Sequence, residues 1–248
     1  MIPLHDNVPT RRRPVVTVAL ILINLAVFLV EIYGPVQHLP TTRGKVFPVE
    51  SQTAITSEYG FVPCEVQHTC ELGDDRVDLG ANAPFMVHHV PVALTVLTSM
   101  FLHGGWAHVL FNMLFLWIFG NNVEDRLGRV RFILFYLLGG VAAVGLQWLA
   151  AQGSDVPTIG ASGAIAAVLG GYLLMFPRAF VITLVGWIPI PIPAVLFLLI
   201  WIGLQVAGAS AGVGSVGGGG GGVAYFAHLG GFAFGLLAVK PLDRGPPP

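Results

Sequence analysis

The chain has 248 residues, of which 54% are hydrophobic and 10% charged, with a mean hydropathy of +0.77. Soluble globular domains carry about a quarter charged residues, so the composition excludes an ordinary soluble domain and indicates a membrane protein. The formal net charge of -1 is too small to point to a strongly charged partner, and no nucleic acid partner is expected.

Crossing a bilayer takes about 20 apolar residues at 1.5 Å each. The clearest such run is Val15 to Tyr33, followed by Trp106–Asn121, Phe132–Ala151, Ser162–Phe176, Pro193–Ala209 and Ala224–Val239. The first is too long for the apolar part of a signal peptide and lacks a small-residue cleavage site, so it reads as the first span. Several others are short or Gly-rich, which suits helices sheltered by neighbours. The expected fold is an all-α polytopic membrane protein, six transmembrane helices around a water-accessible cavity. Residues 1–14 would be a short amino-terminal tail, 15–240 the membrane domain with a long outer loop over about 34–105, and 241–248 a carboxy-terminal tail.

Charge sets the orientation. With the amino terminus inside, the inner segments hold Arg11, Arg12, Arg13, Arg126, Arg129, Arg131, Arg178, Lys240 and Arg244, and the outer ones only Arg43, Lys45 and Arg76. Nine against three favours both termini in the cytoplasm, and the short basic amino terminus suits a bacterial plasma membrane. The first outer segment is acidic, and its apolar later part, Phe85 to Phe101, is expected in or on the membrane. Six consecutive glycines, Gly217–Gly222, read as a flexible connection. Cys64 and Cys70 are the only cysteines and fall in the outer loop. An oxidising exterior favours a disulfide between them, although pairing is not fixed by sequence. A metal site with His68 has too few ligands, and neither metal nor cofactor is expected.

Polar groups within spans cost free energy and by default suggest function. His108 and Asn112 lie four residues apart near the start of the second span, and therefore on one helical face. Ser162 begins the fourth in Gly160-Ala161-Ser162-Gly163, and His228 lies near the start of the sixth in Ala227-His228-Leu229-Gly230-Gly231. Counted from the inner markers Glu124, Arg178 and Lys240, these groups stand about 24 Å (His108, Ser162) and 18 Å (His228, Asn112) above the inner face. Three helices thus place their costly groups in one layer of the outer half. Gly163, Ala167 and Gly171, and likewise Gly231 and Gly235, repeat every four residues, the spacing that lets helix backbones approach closely.

In this order and spacing, His108-x-x-x-Asn112, Gly160-x-Ser162-Gly163 and Ala227-His228-x-x-Gly231 resemble the signature of rhomboid intramembrane serine proteases. His103-Gly-Gly-Trp-Ala-His108 looks like the start of that family's second helix and Glu124-Asp-Arg126-Leu-Gly128 like its end, and the likeness covers about Leu94 to Ala238. The resemblance implies a Ser–His dyad, with Ser162 attacking and His228 acting as general base and then acid. It assigns the oxyanion to His108, Asn112 and the Ser162 N–H, and implies substrates that are transmembrane segments cut near the outer face. His103, Gly160 and Gly163 are expected to line the cavity, and Glu124, Arg126, Gly231 and Gly235 to act structurally. Two departures stand out. The outer loop lacks the Trp-Arg pair of many bacterial relatives, and Ala166 occupies the place, one turn after the serine, where some relatives carry an aromatic ring against the histidine. Something else must orient His228.

Taken singly, these residues have plainer readings: a serine at a helix start is usually a cap, and a lone histidine or asparagine in a span often bridges helices. His5, His38, His68, His88 and His89 read as loop residues. Zinc protease chemistry would want His-Glu-x-x-His, and no histidine here precedes a glutamate; an aspartic site needs two Asp in spans, and each Asp lies outside them. The remaining rivals are a catalytically silent binder or escort of membrane-protein clients and a transporter, whose site would also lie in broken helices.

Overall fold

The computed structural model describes residues 2–40, 46–70, 76–77, 85–86, 90–211, 223–243 and 245. His88, His89 and Gly217–Gly222 lie outside them. In chain order the elements are β1 (Ile2–Asp6), α1 (Val15–Tyr33), β2 (Gln37–Pro40), β3 (Val46–Val49), α2 (Ser51–Tyr59), β4 (Arg76–Val77), β5 (Phe85–Met86) and α3 (Val92–Thr98). There follow α4 (Trp106–Phe115), which passes through a π-helical turn at Leu116–Gly120 into α5 (Asn121–Leu127), then α6 (Arg129–Ala150) and α7 (Ser162–Met175). The chain continues with β6 (Phe180–Val185), β7 (Ile188–Pro193), α8 (Ala194–Ser210) and α9 (Tyr225–Leu242). A helix stands at each of the six predicted apolar runs.

Three of these helices, α1, α6 and α9, are long and apolar enough to cross a membrane alone. A fourth candidate is the broken pair Val92–Phe101 and Trp106–Leu127, bent by 82°. With 14 and 17 residues, α7 and α8 are shorter. Their apolar character and the burial of α7 against its neighbours still mark the protein as membrane-embedded and mostly helical.

The centre of the bundle is α7, every residue of which from Gly163 to Tyr172 is buried, packed between α6 and α9. Contact here is backbone to backbone. A Cβ on Gly231 would lie 1.9 Å from the Gly163 carbonyl oxygen, one on Gly235 2.1 Å from that of Ala167, and one on Gly170 2.3 Å from that of Phe232. Any side chain at these positions would force the helices apart, as the small-residue spacing anticipates.

The expectation of an all-helical chain is corrected at the end of the bundle opposite Ser162, where β1, β6 and β7 form an antiparallel sheet in the order β1-β6-β7. Residues 2–6, expected in a tail, and His5 with them, are thus sheet; His38 likewise lies in β2, paired with β3. The physical reason lies in Phe180-Val-Ile-Thr-Leu-Val185, a β-branched run suited to a pleated surface. In β7, Pro189, Pro191 and Pro193 alternate with isoleucine, which an edge strand tolerates because its outward positions need no N–H. Asp6 anchors the sheet to the helices, its Oδ2 accepting from Asn122 Nδ2 (2.6 Å) and the Tyr172 hydroxyl (2.5 Å).

At the same end, α5 ties the bundle together. The first turn of α1 has no cap of its own. The Glu124 carboxylate instead accepts from the N–H groups of Val16 (3.0 Å) and Thr17 (2.7 Å) and from the Thr17 hydroxyl (2.8 Å). A negative charge there satisfies orphan donors and complements the helix dipole. Asp125 accepts from the N–H groups of Arg11 and Arg12. Arg126 forms a bidentate pair with Asp243, just past α9, and lies over the Phe176 ring. The element expected to close one span therefore fastens the ends of three.

Burial, the largest influence on Asp243, raises its pKa, but the Arg126 and Gly245 hydrogen bonds and the Arg126 charge together hold it below the usual carboxylate range. A depressed carboxylate stabilises the fold above its unfolded-state pKa, and that contribution is lost as pH falls through the folded-state value. Asp243→Asn should therefore destabilise the protein by about 1 kcal/mol near neutral pH. In thermal unfolding series the gap to wild type should close as the medium is acidified below the ordinary carboxylate range; a gap independent of pH would contradict the ion pair.

Candidate active site

The segment between α1 and α4 forms the bed on which the catalytic candidates rest. Phe61 and Thr158 exchange backbone hydrogen bonds of 3.2 and 2.7 Å, Cys64 N–H donates to the Ser154 carbonyl (3.2 Å), and Gly160 N–H to that of Ser99 (2.9 Å). Cys64 and Cys70 are disulfide-bonded, closing a small loop beside this contact. The loop leading into α7 is thus pinned on two sides before the helix starts.

Ser162 is the first residue of α7, and the position before it, Ala161, provides no side-chain cap. The serine is therefore not spent on capping, and the first-turn N–H groups of α7, its own included, lack intrahelical partners. Gly160 holds φ +122°, and a Cβ there would lie 2.7 Å from His108 Nε2 and 3.5 Å from Ser162 Oγ. Only glycine lets His108 and Ser162 approach one another across that point.

His108 Nδ1 accepts from the Gly104 N–H at 3.4 Å, which leaves the ring proton on Nε2, the nitrogen nearest Gly160. Asn112, one turn further along α4, is 7% exposed, and among the described residues its Nδ2 has no hydrogen-bond partner. A buried amide donor without a partner is costly, and this one stands on a cavity wall. The cavity encloses about 510 Å³ and brings together His108, Asn112, Ser162 and His228, with Gln147 and Trp201 beside them, a size usual for ligand sites. Gly160 and Gly163 lie instead on a separate cavity of about 20 Å³ on the other side of Ser162, roughly the volume of one water.

His103 departs from expectation. It is completely buried rather than on the large cavity's wall, with its ring edge-on to Phe28 and to His108 at centroid distances of 6.4 and 5.1 Å. Its backbone explains this: the N–H donates to both oxygens of Glu31, buried in α1, and the carbonyl accepts from Gln52 Nε2 at 2.8 Å. The segment is clamped between α1 and α2 and turns the ring inward.

His228, in the first turn of α9, is 9% exposed. One orphan donor of that turn is met from α6, where Gln147 Oε1 accepts the Ala227 N–H at 3.2 Å. The ring has two partners on α8, Trp201 at a centroid distance of 5.7 Å and Gln205, whose Oε1 lies 2.7 Å from Nδ1. With alanine rather than an aromatic residue at position 166, these two orient the imidazole. Sequence reading missed both, and the signal available was a lone amide inside an apolar run.

A mostly helical, membrane-embedded protein that gathers a serine, two histidines and an asparagine around one open cavity is the class that fold and site define. A family model for the rhomboid domain matches residues 92–243, well over half of the chain. The chain belongs to the rhomboid family. Among its relatives, Rhomboid protease GluP of Bacillus subtilis is 42% identical over 78 residues, 32% of this chain and 15% of that protein. Rhomboid-like protein 11, chloroplastic, of Arabidopsis thaliana is 36% identical over 86 residues, 35% of this chain and 30% of that protein. Rhomboid protein 1, mitochondrial, of Saccharomyces cerevisiae is 32% identical over 105 residues, 41% of this chain and 30% of that protein. The matched stretch spans less than a third of the length of each of these relatives.

Gly160→Ala should destabilise the protein by about 1–2 kcal/mol, the cost of holding a side chain at positive φ, and more if His108 cannot yield. Gly153→Ala is the control, because none of the described residues lies within 4 Å of a Cβ there. Thermal unfolding in detergent checks both, and equal midpoints would contradict the tight approach.

Proposed function

We propose that this protein is an intramembrane serine endopeptidase that cuts transmembrane protein segments near the outer face. The observation that carries the reading is the single cavity lined by Ser162, His228, His108 and Asn112, with the helix cap at Ala161 and not at the serine and the asparagine donor unpartnered among the described residues. In the proposed mechanism, Ser162 Oγ attacks the scissile carbonyl carbon while His228 Nε2 takes its proton. The tetrahedral oxyanion is held by His108 Nε2–H, Asn112 Nδ2–H and the Ser162 N–H, donors fixed in place before the charge develops. His228 then protonates the leaving amine as the C–N bond breaks. Water, with His228 again as base, hydrolyses the acyl ester and restores the serine.

In this reading α1, the α4–α5 helix, α6, α7, α8 and α9 are six spans, and a substrate helix enters from the side near α8. The basic residues favour both termini on the cytoplasmic side of a bacterial plasma membrane. The substrates are other transmembrane proteins in the same bilayer. No cofactor, metal or nucleic acid has a part in this mechanism.

Cleavage of a single-span reporter in detergent and in liposomes tests the proposal. Wild type should cut, and Ser162→Ala and His228→Ala should not; client binding without cleavage by folded wild type would favour the silent escort, and cleavage surviving both substitutions would sink the dyad. Asn112→Ala should lower kcat by about 10²–10³ with a much smaller change in KM. Equal losses in both would argue against its place in the oxyanion site.

A further inference from the structure

The contact between α8 and His228 has a defined chemical sense. Gln205 uses both ends of its amide: Nε2 donates to the Trp201 carbonyl at 3.3 Å, and Oε1 lies 2.7 Å from His228 Nδ1. A carbonyl oxygen accepts only, so the first bond fixes the amide's orientation and turns its oxygen to the imidazole. An amide oxygen also accepts only. His228 Nδ1 must therefore carry the ring proton, and its lone pair resides on Nε2.

Two further contacts make this a built arrangement. Trp201, one turn before Gln205 on α8, lies against the imidazole and also against Phe232, one turn after His228 on α9, at 6.1 Å between ring centroids. Trp201 and Gln205 thus face His228 and Phe232 as two matched pairs, the indole limiting ring rotation and the amide choosing the tautomer. The contact is part-buried, with His228 9% exposed, so losing the bond leaves a largely buried ring nitrogen without its partner.

We propose that Gln205 is a positioning residue, occupying the third place beside Ser162 and His228: it accepts the His228 Nδ1–H and so keeps Nε2 the basic nitrogen available to the serine. A neutral amide does here what a buried carboxylate does in a Ser-His-Asp triad, fixing tautomer and ring orientation, without placing a second charge in the membrane. Its catalytic consequence rests on the protease reading above, whereas the tautomer of His228 is readable without any activity.

The test uses the full-length protein in micelles with ¹⁵N-labelled histidine imidazoles, the His228 signals being assigned by their loss in His228→Ala. Wild type at neutral pH should show His228 protonated at Nδ1, and Gln205→Leu should move that proton largely to Nε2. On the reporter, Gln205→Leu should lose about tenfold in kcat, the scale of one hydrogen bond, with little change in KM. Gln205→Glu, which keeps an acceptor, should recover most of that loss. A wild-type spectrum with the proton on Nε2 overturns the proposal even if the leucine variant does not fold. Undiminished kcat in Gln205→Leu of an active enzyme also overturns it and leaves the dyad standing. An Nδ1 proton in a wild type that cuts no reporter upholds the contact and counts against the protease reading instead.

Discussion

Everything at the site depends on two helix backbones touching. Gly231 against the Gly163 carbonyl, Gly235 against that of Ala167 and Gly170 against that of Phe232 bring α7 and α9 too close to admit a Cβ at these positions. In lipid there is little hydrophobic gain in bringing apolar helices together, so close van der Waals packing must supply it. The same contact puts the start of α7 beside the start of α9, which is why Ser162 and His228 share a cavity despite standing 66 residues apart in the chain.

The surrounding polar contacts follow one rule, that buried backbone donors find partners even when the partner comes from far along the chain. Glu124 closes the start of α1, Gln147 the start of α9, and Glu31 holds the His103 N–H. Against that background the exceptions are informative. Among the described residues several side-chain atoms are buried without partners, and two such groups lie beside the site: Asn112 Nδ2 and both ring nitrogens of His103. The first stands on the cavity, where the proposed mechanism gives it an oxyanion to bind. The second adjoins His108 and has no role in that mechanism.

Much of this was legible in the sequence because membranes make polar residues expensive. Ser162, His228, His108 and Asn112 are the conspicuous groups within one layer of the spans, and the glycine spacing on α7 and α9 anticipates the packing of those helices. What escaped was set by tertiary contact or by weaker local signals. Gln205 is uncharged and lone in an apolar helix, so its cost is modest, and its partner is 23 residues away. The β1-β6-β7 sheet escaped because the Ile-Pro alternation of β7 reads as a breaker until a neighbouring strand is known. Glu124 was recognised as structural, but nothing in its own segment says that it caps a helix more than a hundred residues earlier.

The central claim is that Ser162 is a nucleophile activated by His228. The most direct measurement treats wild type and His228→Ala with a fluorophosphonate and maps the adduct by peptide mass spectrometry. The account predicts a single adduct on Ser162, formed in wild type and suppressed by orders of magnitude in the variant. Modification of another serine, or equal rates in the two proteins, would contradict it.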